Sequence, residues 1–276
     1  MKKTILLSLF SATFLFACDG GGSSNNNQGE DTLAVTETTT PDAQKINLRA
    51  TEETTEFQDA ILEQNAPTNG QKLKAGPVTF EYNVKNYQLT KMTESEHAQM
   101  MANSSKGQHI HLIVNNRPYD AVYETTYQKE LEAGHYVELS FLSRSFHMSL
   151  KHPEAYVLRQ FTVGDAKPEK VDLNAPHMFY SRPKGTYSGP QETSNVMLDF
   201  YLVNTDLSEN GKKVRATING QEFTVTKWQP YVIEGLPMGE STIKLELLDE
   251  NNNLVQSPYN PVTRTITLEE GNQPAM

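Results

Sequence analysis

Residues 109–142, HIHLIVNNRPYDAVYETTYQKELEAGHYVELSFL, and residues 213–247, KVRATINGQEFTVTKWQPYVIEGLPMGESTIKLEL, follow one template. Each has a strand ending in Asn, a second strand, a Leu-x-x-Gly turn and an alternating strand. Upstream, VTFEYNV (78–84) matches VMLDFYLV (196–203), and YVLRQFTV (156–163) or TRTITL (263–268) closes each half. A unit of about 80 to 90 residues, made of short strands with turn signals every 8 to 12 residues, describes an immunoglobulin-like sandwich. The expected fold is therefore all-β: two tandem immunoglobulin-like β-sandwich domains, over 56–163 and 196–276. Segment 164–195 carries Pro168, Pro176, Pro183 and Pro190 and reads as the linker, with Phe179, Tyr180 and Tyr187 packing at the junction. Short helices are expected before the first sandwich, around Phe57, Ala60 and Ile61, and within it. There, Thr93 and Glu96 have capping-box spacing and Gly107 is a stop.

Ahead of the repeats, residues 1–17 join a basic start (Lys2, Lys3) to an apolar run from Ile5 to Phe16, too short to span a bilayer. This is a secretory signal peptide. Leu15-Phe16-Ala17-Cys18 resembles the lipobox of bacterial lipoproteins, which implies that Cys18 is lipidated and anchors the mature chain. No other Cys exists, so a disulfide framework and a thiolate metal site are excluded. The Gly-, Ser-, Asn- and Thr-rich stretch that completes 18–55 reads as a flexible tether, with an r.m.s. reach of about 30 to 35 Å. The expected location is the bacterial cell envelope, periplasm or outer membrane, with the membrane as a partner through the lipid.

Six of the seven histidines fall in the first copy or its loops, and the second copy has none. Strand periodicity puts His109 and His111 on one face, with Ile110, Leu112 and Val114 on the other. The matching second-copy positions are Lys213 and Arg215, so the His pair is expected to be accessible. Two His at i and i+2 can share one ion, and imidazole suits zinc and copper. The candidate metal set is His109, His111, His135 and His147, with Met148 as a soft addition for copper(I). A His-x-His pair is equally a polar face whose imidazoles cap carbonyls.

GQHIHLIV (107–114), LEAGHYVEL (131–139) and His147 resemble a His-rich, immunoglobulin-like domain family of unknown function in exported bacterial proteins. That family's pattern is a His-x-His strand, a Pro-Gly-x-His turn and a further His; here Ala133 stands at the Pro position. The resemblance covers roughly 77–163, implies the fold and assigns no chemistry. FYSRPKGTY (179–187) and YLVNTDLSENG (201–211) are similar to segments of longer lipoproteins, some labelled phosphopeptide-binding. Ser143-Arg144-Ser145-Phe146-His147 is similar to the Ser-Arg-x-x-His loop of forkhead-associated domains, which implies Arg144 as a phosphate reader. Arg182 and Lys184 form a second basic element able to hold an anion or a sugar.

Formal charge is -10, and the only charged residues before Cys18 are Lys2 and Lys3, so the mature chain is more acidic still. Nucleic acid is excluded as the main partner, because phosphate binding needs a concentrated basic surface. Gly-x-Ser-x-Gly, His-Glu-x-x-His and phosphate-loop signatures are absent, and no catalytic residue is nominated. Trp228 and Tyr231 can in principle form a sugar platform, although aromatics so placed usually pack between strands. The expected function is a non-enzymatic binding module for a protein or glycan ligand, with copper or zinc binding and phosphopeptide binding as alternatives.

Overall fold

The computed structural model describes residues 45–52 and 55–271. The expected signal peptide, Cys18 and most of the expected tether lie outside these described residues. Strand β1 (Asn47–Ala50) comes first. The first sandwich follows, with β2 (Ile61–Ala66), β3 (Lys72–Leu73), β4 (Gly76–Lys85), β5 (His109–Val114), β6 (Asp120–Val122), β7 (Thr126–Leu131), β8 (Gly134–Ser143) and β9 (Tyr156–Val163). The second comprises β10 (His177–Arg182), β11 (Gly185–Ser188), β12 (Val196–Val203), β13 (Lys213–Ile218), β14 (Gln221–Val225), β15 (Tyr231–Glu234), β16 (Gly239–Leu248) and β17 (Val262–Glu269).

The duplication is complete at the level of topology. Sheets ordered β2-β4-β7 and β3-β9-β8-β5-β6 make the first sandwich; β10-β12-β15 and β11-β17-β16-β13-β14 make the second. Every strand of one half has its counterpart, including the short parallel pairs β3·β9 and β11·β17. Even the turn chemistry repeats. Asn115 and Asn219 both take positive φ after their strand, and each side-chain oxygen accepts a hydrogen bond, at 2.8 Å, from the backbone N–H of Val137 or Thr242.

Four expectations need correction. The 164–195 segment is not all linker, because β10, β11 and the four-residue helix α2 (Pro190–Thr193) belong to the second sandwich. Its prolines suit an edge strand that changes sheet near Pro183, as the first-copy edge strand does near Pro67. The tether ends early, since β1 pairs antiparallel with β15 and extends the second sandwich rather than the first. No helix forms at Ile61. Phe57 sits at φ 68° in a turn, and pairing of β2 with β4 overrides the weak helical pattern. Within the first sandwich the helix shrinks to α1 (His97–Met100), and Thr93 bonds Gln108 and Ser145 instead of capping it.

The two sandwiches pack through a third apolar layer. Ile113, Val137, Leu139 and Phe141 on the outer face of β5 and β8 meet Phe179, Tyr201 and Val203 of the second sandwich. β5 is therefore buried on both faces, whereas its counterpart β13 alternates between buried and half-buried positions. Tyr180 and Tyr187, expected at the junction, instead fill the core of the second sandwich.

β8 is buried on both faces, and its inward positions include the polar Glu138 and Ser140 beside Tyr136 and Leu142. Glu138 is fully buried and accepts hydrogen bonds from Gln64 Nε2 (2.9 Å), Ser140 Oγ (2.8 Å) and Tyr82 OH (3.3 Å). Burial outweighs these donors and pushes its carboxyl up to about 7. Because the folded chain holds this proton longer than the unfolded one, the group stabilises fully below about pH 4.5. That contribution fades as pH rises through 7, a loss of about 3 kcal/mol. In Glu138→Gln the slope disappears, so urea midpoints of the variant should gain on the parent between pH 5 and pH 8. A constant gap across that range would mean the carboxyl is ionised in the fold.

Candidate metal centre

His109 and His111 lie two apart on β5 and share its outer face. In the second copy that face is open, and Lys213 and Arg215 are half-buried there. In the first copy the second sandwich covers it, so both imidazoles are 0% exposed rather than accessible. His147 joins them from the turn after β8. Its backbone N–H bonds Arg144 O (2.9 Å) and its φ is 70°, a left-handed conformation that non-glycine residues adopt at a cost.

The three rings converge. His109 Nε2 lies 2.9 Å from His111 Nε2 and 3.2 Å from His147 Nδ1, and the three ligand atoms fall within 4.8 Å of one another. The remote nitrogens are held. His109 Nδ1 is 2.8 Å from Gly107 O, which fixes the proton there because a carbonyl can only accept, and leaves a lone pair on Nε2. His111 Nδ1 is 3.1 Å from Ser181 Oγ, across the seam on β10. Such outer contacts orient imidazole ligands and raise their basicity. An ion bonded at about 2.0 to 2.1 Å sets tetrahedral nitrogens about 3.3 Å apart, so the 2.9 and 3.2 Å pairs need open only by tenths of an ångström, while the His111–His147 separation, within 4.8 Å, closes by up to about 1.5 Å.

Aromatic and cationic groups enclose the cluster. Tyr119 stacks on His111 with ring centroids 3.6 Å apart, and its hydroxyl lies 3.3 Å from His147 Nδ1. Tyr123 flanks His109 at 5.0 Å. Arg182 Nη1 donates to the Tyr119 hydroxyl (3.2 Å), and Lys184 Nζ sits 3.7 Å from the Tyr119 ring centroid while donating to its carbonyl. Burial, and then the field of Arg182 and Lys184, brings His109 down to about 4. His111 and His147 are likewise held well below the usual imidazole value, again by burial first. All three are neutral at physiological pH, the form that ligates a metal.

His135 does not join them. Antiparallel pairing sets His109 opposite Ser143, so His135, eight residues back along β8, lies roughly 26 Å away by strand rise. It lines a cavity of about 240 Å³ with Gln160, Thr162 and Pro168 instead. Met148 packs with Met101, Phe146, Met197 and Val232 in a separate apolar cluster. Arg144 is 1% exposed, donates through Nη2 to Glu56 O (3.0 Å) and lies over Phe57, so the phosphate-reading geometry is not presented. Arg182 and Lys184 are not in a solvated linker; they form the second-sandwich wall of the cluster. Trp228 packs edge-on against Tyr201 and donates through Nε1 to Phe200 O. Tyr119, from the β5–β6 connection, and Ser181, from β10 across the seam, were not legible as site residues.

No family model matches the sequence, and no curated protein does. Solved structures with related strand arrangements include fibronectin(III)-like modules of Clostridium thermocellum CbhA, at 12% identity, 76% of this chain, 95% of that chain and TM-score 0.27. The central fibronectin-III array of RIM-binding protein aligns at 9% identity over 78% and 71%, with TM-score 0.26. A Bacteroides ovatus glucan-utilisation protein, SGBP-B, solved with a mixed-linkage heptasaccharide, aligns at 9% identity with TM-score 0.22; the match spans 75% of this chain and about half of that one, 47%. These superpositions are loose, and the sandwich assignment rests on strand order and register.

Proposed function

We propose that the protein is a non-enzymatic binding module of the bacterial cell envelope. It is exported, held to a membrane through lipidated Cys18, and carries one copper or zinc ion on His109, His111 and His147. The signal-like N-terminus supports the anchor. The observation that carries the metal reading is the convergence of three neutral imidazole nitrogens, with the far nitrogens of two held by Gly107 O and Ser181 Oγ. Hydrogen bonding alone explains them less well. Once Gly107 fixes the His109 proton, both neighbours crowd the one lone pair on its Nε2.

The test is metal content and affinity of the full chain, purified without a histidine tag. About one ion per chain is expected, lost in His109→Ala/His111→Ala. His147→Asn is the gentler companion, because Asn tolerates the left-handed backbone. At a thousandfold excess over Kd, the ion should stabilise the parent by about 4 kcal/mol and leave both variants unshifted. Equal, weak uptake by all three proteins would exclude a metal site and turn the search to protein and glycan ligands.

A further inference from the structure

We propose that this site selects monovalent copper over divalent ions, because the seam sets Arg182 and Lys184 beside three imidazole ligands and supplies no carboxylate. The inference rests on the metal reading above and adds the charge of the ion. Among the described residues, the group of convergent ligands is His109, His111 and His147, with no Asp or Glu in it. Arg182 is 6% exposed and reaches the cluster through the Tyr119 hydroxyl. Lys184 Nζ lies over the face of the ring that stacks on His111. Neither cation forms an ion pair among the described residues. The carboxylates whose fields reach them are engaged elsewhere: Asp120 with Lys129, and Glu192 with the Ser188 N–H.

A buried charge needs a partner or a neutral escape, and here the neighbours of the ion repel it. That repulsion scales with the charge of the ion, so a divalent ion feels twice the penalty of a monovalent one. A three-ligand zinc site ordinarily takes water or substrate in its fourth position. The β5 imidazoles are 0% exposed, so a hydrated or anionic fourth ligand has access only beside the half-buried His147. Copper(I) is served by three imidazoles alone and needs no counter-charge beyond one unit.

The test titrates the full chain with copper(I), kept reduced by ascorbate and competed by bicinchoninate, and separately with zinc chloride. Copper(I) should bind tighter than zinc by about 100-fold or more. Lys184→Met should raise zinc affinity about 10-fold and copper(I) affinity only about 3-fold, in the ratio of the ionic charges. Lys184→Gln, which keeps a polar head beside the Tyr119 carbonyl, should do the same. Zinc within 10-fold of copper(I) in the parent, or an equal change for both ions in the variants, would overturn the charge selection while the metal site stands. Failure of both ions to bind would overturn the metal reading itself.

Discussion

Replacing Lys151 by Met is expected to destabilise the protein by about 3 to 5 kcal/mol, more than any surface change. Lys151 follows β8 in the first sandwich, and its ammonium meets the Asp199 carboxylate on β12 of the second, with side chains 3% and 0% exposed. Asp199 also accepts the Ser149 N–H (3.3 Å), and Lys151 lies 5.7 Å from the centroid of Trp228. Removing the ammonium strands a buried carboxylate, and one backbone donor cannot replace it. In a chain of this size the loss should lower Tm by roughly 6 to 20 °C. The double replacement Lys151→Met/Asp199→Leu should recover most of it, since the pair as a whole contributes less than either half abandoned. A single-variant cost below about 1 kcal/mol would show that water reaches the pair.

That ion pair and the histidine cluster share a cause that strand periodicity alone does not reveal. The repeat made the sandwiches legible, because Asn115 and Asn219, or Gly134 and Gly239, serve one template twice. It misled about the outer face. Lys213 and Arg215 argued that His109 and His111 were exposed, yet the two faces have different fates once one sandwich docks on the other. The difference was written elsewhere in the sequence. Val137, Leu139 and Phe141 stand where the second copy has Thr242, Lys244 and Glu246, and an apolar outer face on only one copy marks the seam. Read with that contrast, a buried Glu138 follows as well, because the inward face of β8 then holds Glu138 and Ser140 between Tyr136 and Leu142.

His135 failed for a different reason. It was grouped by composition, whereas the antiparallel register of β5 and β8 sends it to the opposite end of the sheet. Register can be set by turn length, so that error was avoidable from sequence. The roles of Ser181, Arg182 and Lys184 were not so accessible. Four prolines made their segment look like a linker, and their contacts with the cluster depend on the docking angle of two domains.

Phe141→Ala should separate these contributions. Phe141 is fully buried on the seam, stacks on Tyr201 with ring centroids 4.6 Å apart, and lies 5.1 Å from the His111 ring. Truncation is expected to cost about 3 to 5 kcal/mol, and the loss should fall on the docking of the sandwiches rather than on either core. Trp228, the sole Trp, reports on the seam through its edge-on contact with Tyr201 at 5.1 Å. Its emission should shift to the red at lower urea than the loss of β circular dichroism. Metal affinity should drop by about 10- to 100-fold although no ligand is touched, because Ser181 orients His111 only while the sandwiches are docked. Coincident transitions with unchanged affinity would place the site in the first sandwich alone, and the second would then be cover rather than part of the ligand-holding structure.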